Sequence, residues 1–189
     1  MIYRDFLNNI GTYIFTAEQA GRILGSSHAN ISLSRWEKRG EISRLKRGLY
    51  VVSNKPVDEQ VIANFLYQPS YVSMETVLNH SGVIPDVSGV ITSVVTGKPR
   101  RFGNEEGSFS YSRVSRHLFF GYELIRDVKS GLLMKIATPE KALLDYMYVR
   151  RVRQLDEVRI EWDNLRKTVL LDMAKSYPDW IRKEIKKYV

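Results

Sequence analysis

The residues best placed to do chemistry lie between Ser27 and Arg47, and what they offer is positive charge and hydrogen-bond donors, not an acid–base pair. At 100° per residue, Ser27, His28, Ile31, Ser34, Arg35 and Lys38 fall on one arc of a helical segment, with Arg39 at its end. Long cations suit guanine edges and phosphates, hydroxyls suit either, and a single apolar group suits a thymine methyl. Shortly after, Arg44, Lys46 and Arg47 flank a Lys-Arg-Gly turn. Cations there would follow a sugar-phosphate backbone and position the segment without reading sequence. A few cations on the outer face of a helix are also what plain solvation produces, so the surrounding elements must decide.

Those elements form a consistent series. Thr16 is a good N-cap for a helix running to Gly25, with Glu18 and Gln19 in its first turn and glycine where a C-cap belongs. A turn at Ser26-Ser27 leads into a second helix from His28 to Arg39, stopped by Gly40. Its opposite side carries Ala29, Leu33 and Trp36, at i, i+4 and i+7, which must pack inward. Ile42 to Val52 then reads as strand, tight basic turn and a second, β-branched and aromatic strand. With Tyr13-Ile14-Phe15 as a third strand and Tyr3 to Ile10 as a first helix, residues 1–55 predict a winged helix-turn-helix that binds double-stranded DNA.

Charge distribution points the same way. The net charge is +8, and residues 1–55 hold nine Lys or Arg against four Asp or Glu, a surplus of five. Neutralising about five phosphates would cost roughly 10² to 10³-fold in affinity between 50 and 200 mM salt. The chain has no cysteine, which excludes disulfides and Cys-ligated metal. It shows no apolar run long enough for a membrane span and no signal-peptide core, so a cytoplasmic protein without membrane association is expected.

A polar break at Ser53-Asn54-Lys55-Pro56 separates this unit from residues 56–189, a mixed α+β domain. Helical spacing recurs over Asp58 to Tyr67 and Ser73 to His80, and β-rich runs follow over Val87–Thr96, Ser108–Val114, Leu118–Ile125 and Leu132–Ile136. These predict an antiparallel sheet, closed by C-terminal helices. Thr138-Pro139-Glu140 opens one with a hydroxyl cap, proline at the first position and a carboxylate at the positive end of the dipole. A charged helical tail runs from Asp163 to Val189.

Catalytic readings are weaker. His28, His80 and His117 fit no metal-ligand spacing, no phosphate-cradling glycine loop is present, and no cofactor or metal is expected. Asp86, Glu105, Glu106, Glu123 and Lys135 could be assembled into a metal-dependent nuclease, but their spacing gives no acidic pair plus lysine on one strand. Lys98, Arg100, Arg101, Arg113 and Arg116 could form a second basic patch, extending a DNA footprint or meeting an acidic protein or nucleotide surface.

Several segments carry a resemblance when taken in order: RGLYVV (Arg47–Val52), YVSMETVLNHSGVIPDVSGVITSVVTGKPRRF (Tyr71–Phe102), FSYSRV (Phe109–Val114), LFFGYE (Leu118–Glu123) and ATPEKALLDYMY (Ala137–Tyr148). Together the chain resembles the AbiEi antitoxins of type IV toxin-antitoxin and phage-abortive systems. The resemblance implies an N-terminal winged helix that binds operator DNA and represses its own operon, and a C-terminal domain that counters a nucleotidyltransferase-like toxin, directly or indirectly. Operators of such proteins often contain repeats, so it also implies self-association on DNA, although the sequence shows no dimerisation seam. A stand-alone winged-helix regulator is the alternative.

Overall fold

The computed structural model describes residues 2–85 and 88–189. The chain opens with α1 (Tyr3–Ile10), β1 (Ile14–Thr16), α2 (Ala17–Leu24), α3 (Ser26–Lys38), β2 (Ile42–Lys46) and β3 (Leu49–Val52). Three short helices and an antiparallel sheet ordered β1-β3-β2 make the winged helix-turn-helix that the sequence predicts. Thr16 caps α2 through a closed capping box. Its hydroxyl accepts from the Gln19 N–H at 3.1 Å, and the Gln19 side-chain oxygen accepts from the Thr16 N–H at 2.7 Å. The turn into α3 is tighter than expected: Ser26 and Ser27 are already helical, because Gly25 reverses the chain by itself at φ +81°.

Ala29, Leu33 and Trp36 are buried, as their spacing requires. The Trp36 ring lies 5.2 Å from Tyr3 and 4.8 Å from Phe6, and Phe6 meets Phe15 edge-on at 5.2 Å, so aromatic packing fixes α3 against α1 and the sheet. The sheet then does something that a peripheral wing need not do. All four residues of β3 are buried, because both faces of the sheet are covered. Phe15, Ile42, Tyr50 and Val52 face the helices, while the alternate residues Ile14, Leu45, Leu49 and Val51 join the core of the rest of the chain. The polar break at 53–56 thus interrupts secondary structure but not apolar packing.

The second body runs α4 (Glu59–Leu66), β4 (Ser70–Val72), α5 (Glu75–His80), β5 (Ile91–Val95), β6 (Arg100–Asn104), β7 (Gly107–Arg113), β8 (Tyr122–Arg126), β9 (Leu133–Ala137), α6 (Pro139–Arg150), α7 (Lys167–Ala174) and α8 (Asp179–Ile185). Its sheet order is β6-β7-β5-β4-β9-β8. The expected antiparallel pairing holds for β4/β5, β6/β7 and β8/β9, but β5/β7 and β4/β9 run parallel. The cause is how the two hairpins dock. Each places its second strand inward beside a central strand and leaves its first strand at the edge. Arg100 and Arg101 of the candidate basic patch lie in edge strand β6, where charge is tolerated. The run from Leu118 is also shorter as a strand than predicted: a 3₁₀ turn spans Arg116–Leu118, and β8 begins only after Gly121 at φ +71°. Val87, the start of the run that became β5, lies outside the described residues.

Thr138 and Pro139 open α6 as predicted, the Thr138 hydroxyl accepting from the Lys141 N–H at 3.3 Å. One turn along, Lys141 and Asp145 are fully buried and paired. Asp145 also accepts from Tyr71 at 2.9 Å, Ser73 at 2.8 Å and Tyr177 at 2.7 Å, and Lys141 donates to the Tyr177 oxygen at 2.5 Å. Burial pushes the Lys141 ammonium below the usual lysine range, with Asp145 opposing, and pushes both tyrosines well above theirs. The predicted helical tail is α7 and α8, anchored by buried Leu165 and Ile185 and by a Trp162–Tyr188 stack at 4.8 Å.

Candidate nucleic-acid interface

The outer side of α3 is built by the same helical period that buries Trp36. Ser27, His28, Ile31, Ser34, Arg35 and Lys38 are exposed along it, and Arg39 follows at the helix end. Ile31 is 69% exposed, so this apolar side chain has no role in the fold. Ile31, Ser34, Arg35, Lys38 and Arg39 share a shallow depression of about 620 Å³ with Asn30, a residue that the sequence reading passed over. Its carboxamide can pair bidentately with an adenine edge, and its place one turn before Ser34 was the signal. Among the described residues Arg35, Lys38 and Arg39 form no ion pair. The Ser27 hydroxyl lies 3.1 Å from His28 Nδ1 at the start of the helix.

The hairpin presents less free charge than its sequence suggests. Arg44 is paired with Glu37 of α3 at 2.6 Å and lies 5.6 Å from the Tyr50 ring centre, so it braces the hairpin against α3. Lys46 is placed differently from the expected backbone contact. Its ammonium donates to the Leu66 carbonyl at the end of α4 at 2.6 Å, and burial followed by the nearby Arg100 charge lowers its pKa. The neighbouring Leu45 carbonyl accepts from the Asn104 side chain at 3.0 Å. The hairpin is therefore stitched to the second body, and Arg47, exposed at the turn, forms no ion pair among the described residues.

The second basic patch is split. Lys98, Arg100, Arg101, Arg113 and Arg116 are all exposed, but β6 pairs Arg100 with Tyr111 and Arg101 with Ser110, which sends the two arginines to opposite faces. Tyr111 faces α4, donating to the Ala63 carbonyl at 2.6 Å. Arg100 is therefore on the α4 face, 5.2 Å from the Tyr67 ring centre and close enough to Lys46 to lower its pKa. Arg101 instead borders a cavity of about 520 Å³ beside Glu75 and Arg150.

The carboxylates considered for a nuclease do not converge. Glu105 and Glu106 lie in the turn between β6 and β7, at one edge of the sheet, and Glu123 lies on β8, at the other. Glu123 and Lys135 also face opposite sides of their hairpin, because Lys135 pairs with Leu124. Asp86 lies outside the described residues. His80 ends α5 and His117 sits in the 3₁₀ turn before β8, and no group of three His, Asp or Glu among the described residues could hold a metal.

A short helix, a tight glycine turn, an exposed polar helix and a two-stranded wing define a winged helix-turn-helix, a DNA-binding class of fold. Residues 2–53 match the family model described as transcriptional regulator, AbiEi antitoxin, a span that ends just past β3. The N-terminal unit is therefore similar to that of AbiEi antitoxin transcriptional regulators. No curated protein matches the chain. Among the described residues no helix is long and apolar enough to cross a membrane.

Proposed function

We propose that this chain binds operator DNA through α3, represses its own toxin-antitoxin operon in the cytoplasm and counteracts a nucleotidyltransferase-like toxin. DNA recognition is assigned to residues 1–55 and the antagonism of the toxin to residues 56–189. The observation that carries the DNA half is the exposed face of α3, where Arg35, Lys38 and Arg39 stand without counter-ions beside Asn30, Ser34 and Ile31. In this reading α3 enters the major groove, Arg35 and Lys38 read or touch base edges, and Ser27 and His28 approach the backbone at its start. Arg47 holds a phosphate beside the groove, and Arg100 with Lys98 and Arg113 extends the track on the α4 face.

The test is a titration of the purified protein against its own upstream DNA and a scrambled duplex at two salt concentrations. Selective, salt-sensitive binding that Arg35→Ala removes is expected. Equal affinity for both duplexes would overturn the repressor reading. Co-expression with the neighbouring open reading frame tests the antitoxin half: rescue of growth by the full chain is expected, and continued growth arrest would overturn it.

A further inference from the structure

The β6–β7 hairpin is apolar on one face and polar on the other. Phe102, Phe109 and Tyr111 turn toward α4, and the residues that alternate with them, Arg101, Gly103, Ser108 and Ser110, lie on the opposite face. The register sets Ser110 directly across from Arg101 and Ser108 across from Gly103, so the arginine has one hydroxyl beside it and a second on the diagonal. Thr92 of β5 pairs with Ser110 on the other side. These residues line the cavity of about 520 Å³ that Glu75 of α5 and Arg150 of α6 also border, a volume in the range of small-molecule sites.

What this cavity leaves unengaged is a set of hydrogen-bond donors. Glu75 accepts from Arg150 Nε at 2.6 Å and from Arg150 Nη2 at 3.2 Å, and the Thr92 hydroxyl donates to the Ser73 carbonyl at 2.6 Å. Arg150 Nη1, the Arg101 guanidinium and the hydroxyls of Ser108 and Ser110 have no partner among the described residues. Two guanidinium groups against one carboxylate leave positive charge in excess there. A ligand that satisfies these groups must be anionic and must present acceptors in several directions, which a tetrahedral phosphate does and a planar carboxylate does not. Gly103 keeps the space beside Ser108 clear, since a Cβ there would meet no atom within 4 Å. We propose that the cavity binds a phosphate monoester of a small metabolite, its phosphate held by Arg101, Ser108, Ser110 and the free edge of Arg150, and its ester group lying over Gly103. The site is separate from the α3 surface and stands independently of the repressor reading.

Isothermal titration calorimetry of the full chain with inorganic phosphate, adenosine monophosphate, glucose phosphate and adenosine tests this. Both esters should bind saturably and more tightly than inorganic phosphate, adenosine should not bind, and the tighter of the two esters identifies the kind of group the cavity takes beside Gly103. Arg101→Ala, at an exposed edge position, should weaken ester binding about 10-fold or more, and Ser110→Ala about 2- to 10-fold. Gly103→Leu keeps every donor but fills the space of the ester group, and should bring ester affinity down to that of inorganic phosphate. Absence of saturable ester binding, adenosine binding as tightly as its phosphate, or ester binding untouched by Arg101→Ala would overturn the proposal. So would a loss on Arg35→Ala in place of Arg101→Ala, which would put the phosphate on the α3 face. If Arg101→Ala failed to fold, Ser110→Ala and Gly103→Leu would still decide.

Discussion

Two sets of charges in this molecule are arranged on opposite principles. On the outer side of α3, Arg35, Lys38 and Arg39 are exposed and unpaired, beside polar groups that make no use of them. Within the second body, Lys141 and Asp145 are wholly buried and paired, Tyr71, Ser73 and Tyr177 donate to the carboxylate, and the ammonium donates to the Tyr177 oxygen as well. A charge that completes itself inside the chain serves the fold. A charge left open to water is available to an outside partner, and a surplus of one sign selects a polyanion.

Substitutions should separate the two sets. The largest effect is expected from Asp145→Ala, which leaves the Lys141 ammonium buried without its carboxylate and should cost about 3–5 kcal/mol in urea unfolding. Operator affinity per folded molecule should not change, and a double replacement of Lys141 and Asp145 by apolar residues of similar volume should recover much of the loss. Arg35→Ala should do the reverse. It should weaken operator binding by about 1–3 kcal/mol and relax sequence preference while leaving the unfolding curve in place. An equal loss on operator and random DNA would show that Arg35 reads no base. Arg47→Ala should weaken every duplex alike and reduce the slope of log affinity against log salt by about 1.

Acid sensitivity distinguishes a third kind of charge, partly open and partly built in. Burial raises the pKa of Glu140, but the Arg166 guanidinium and backbone N–H, both at 2.9 Å, outweigh it and bring the carboxyl to about 2 from its ordinary 4.5. The folded state thus binds the proton more weakly than the unfolded chain. The stability contributed is complete above about pH 4.5 and is lost as pH falls through about 2. Arg166→Ala should move acid unfolding, followed by circular dichroism, to higher pH. The smallest effect is expected at Arg44 and Glu37, a partly exposed pair whose removal should cost no more than about 1 kcal/mol.

Features set by near neighbours could be read from the sequence. Thr16 with Gln19, Thr138 with Pro139, and the inward series Ala29, Leu33 and Trp36 are written within one or two helical turns, and each appears as expected. Features set at a distance could not. The Asn64 carboxamide accepts from the Lys135 N–H at 2.8 Å and donates to the Lys135 carbonyl at 3.2 Å, filling a gap in the β9 ladder from 71 residues away. Nothing near Lys46 announces that its partner is the Leu66 carbonyl, and two parallel ladders follow from hairpin docking, which leaves no local mark. One signal was available and unused: Leu49-Tyr50-Val51-Val52 is continuously apolar, the pattern of a strand covered on both faces.

That doubly covered strand means the winged helix-turn-helix is not a portable cassette. Cutting the chain after Val52 would bare Ile14, Leu45, Leu49 and Val51 to water and strand the Lys46 ammonium and Leu45 carbonyl without their partners. A transplant into another regulator would have to carry α4 and β6 along with the wing. Under the proposed function, changes of DNA sequence preference are best placed on the outer face of α3, where Ser34, Arg35 and Lys38 are exposed.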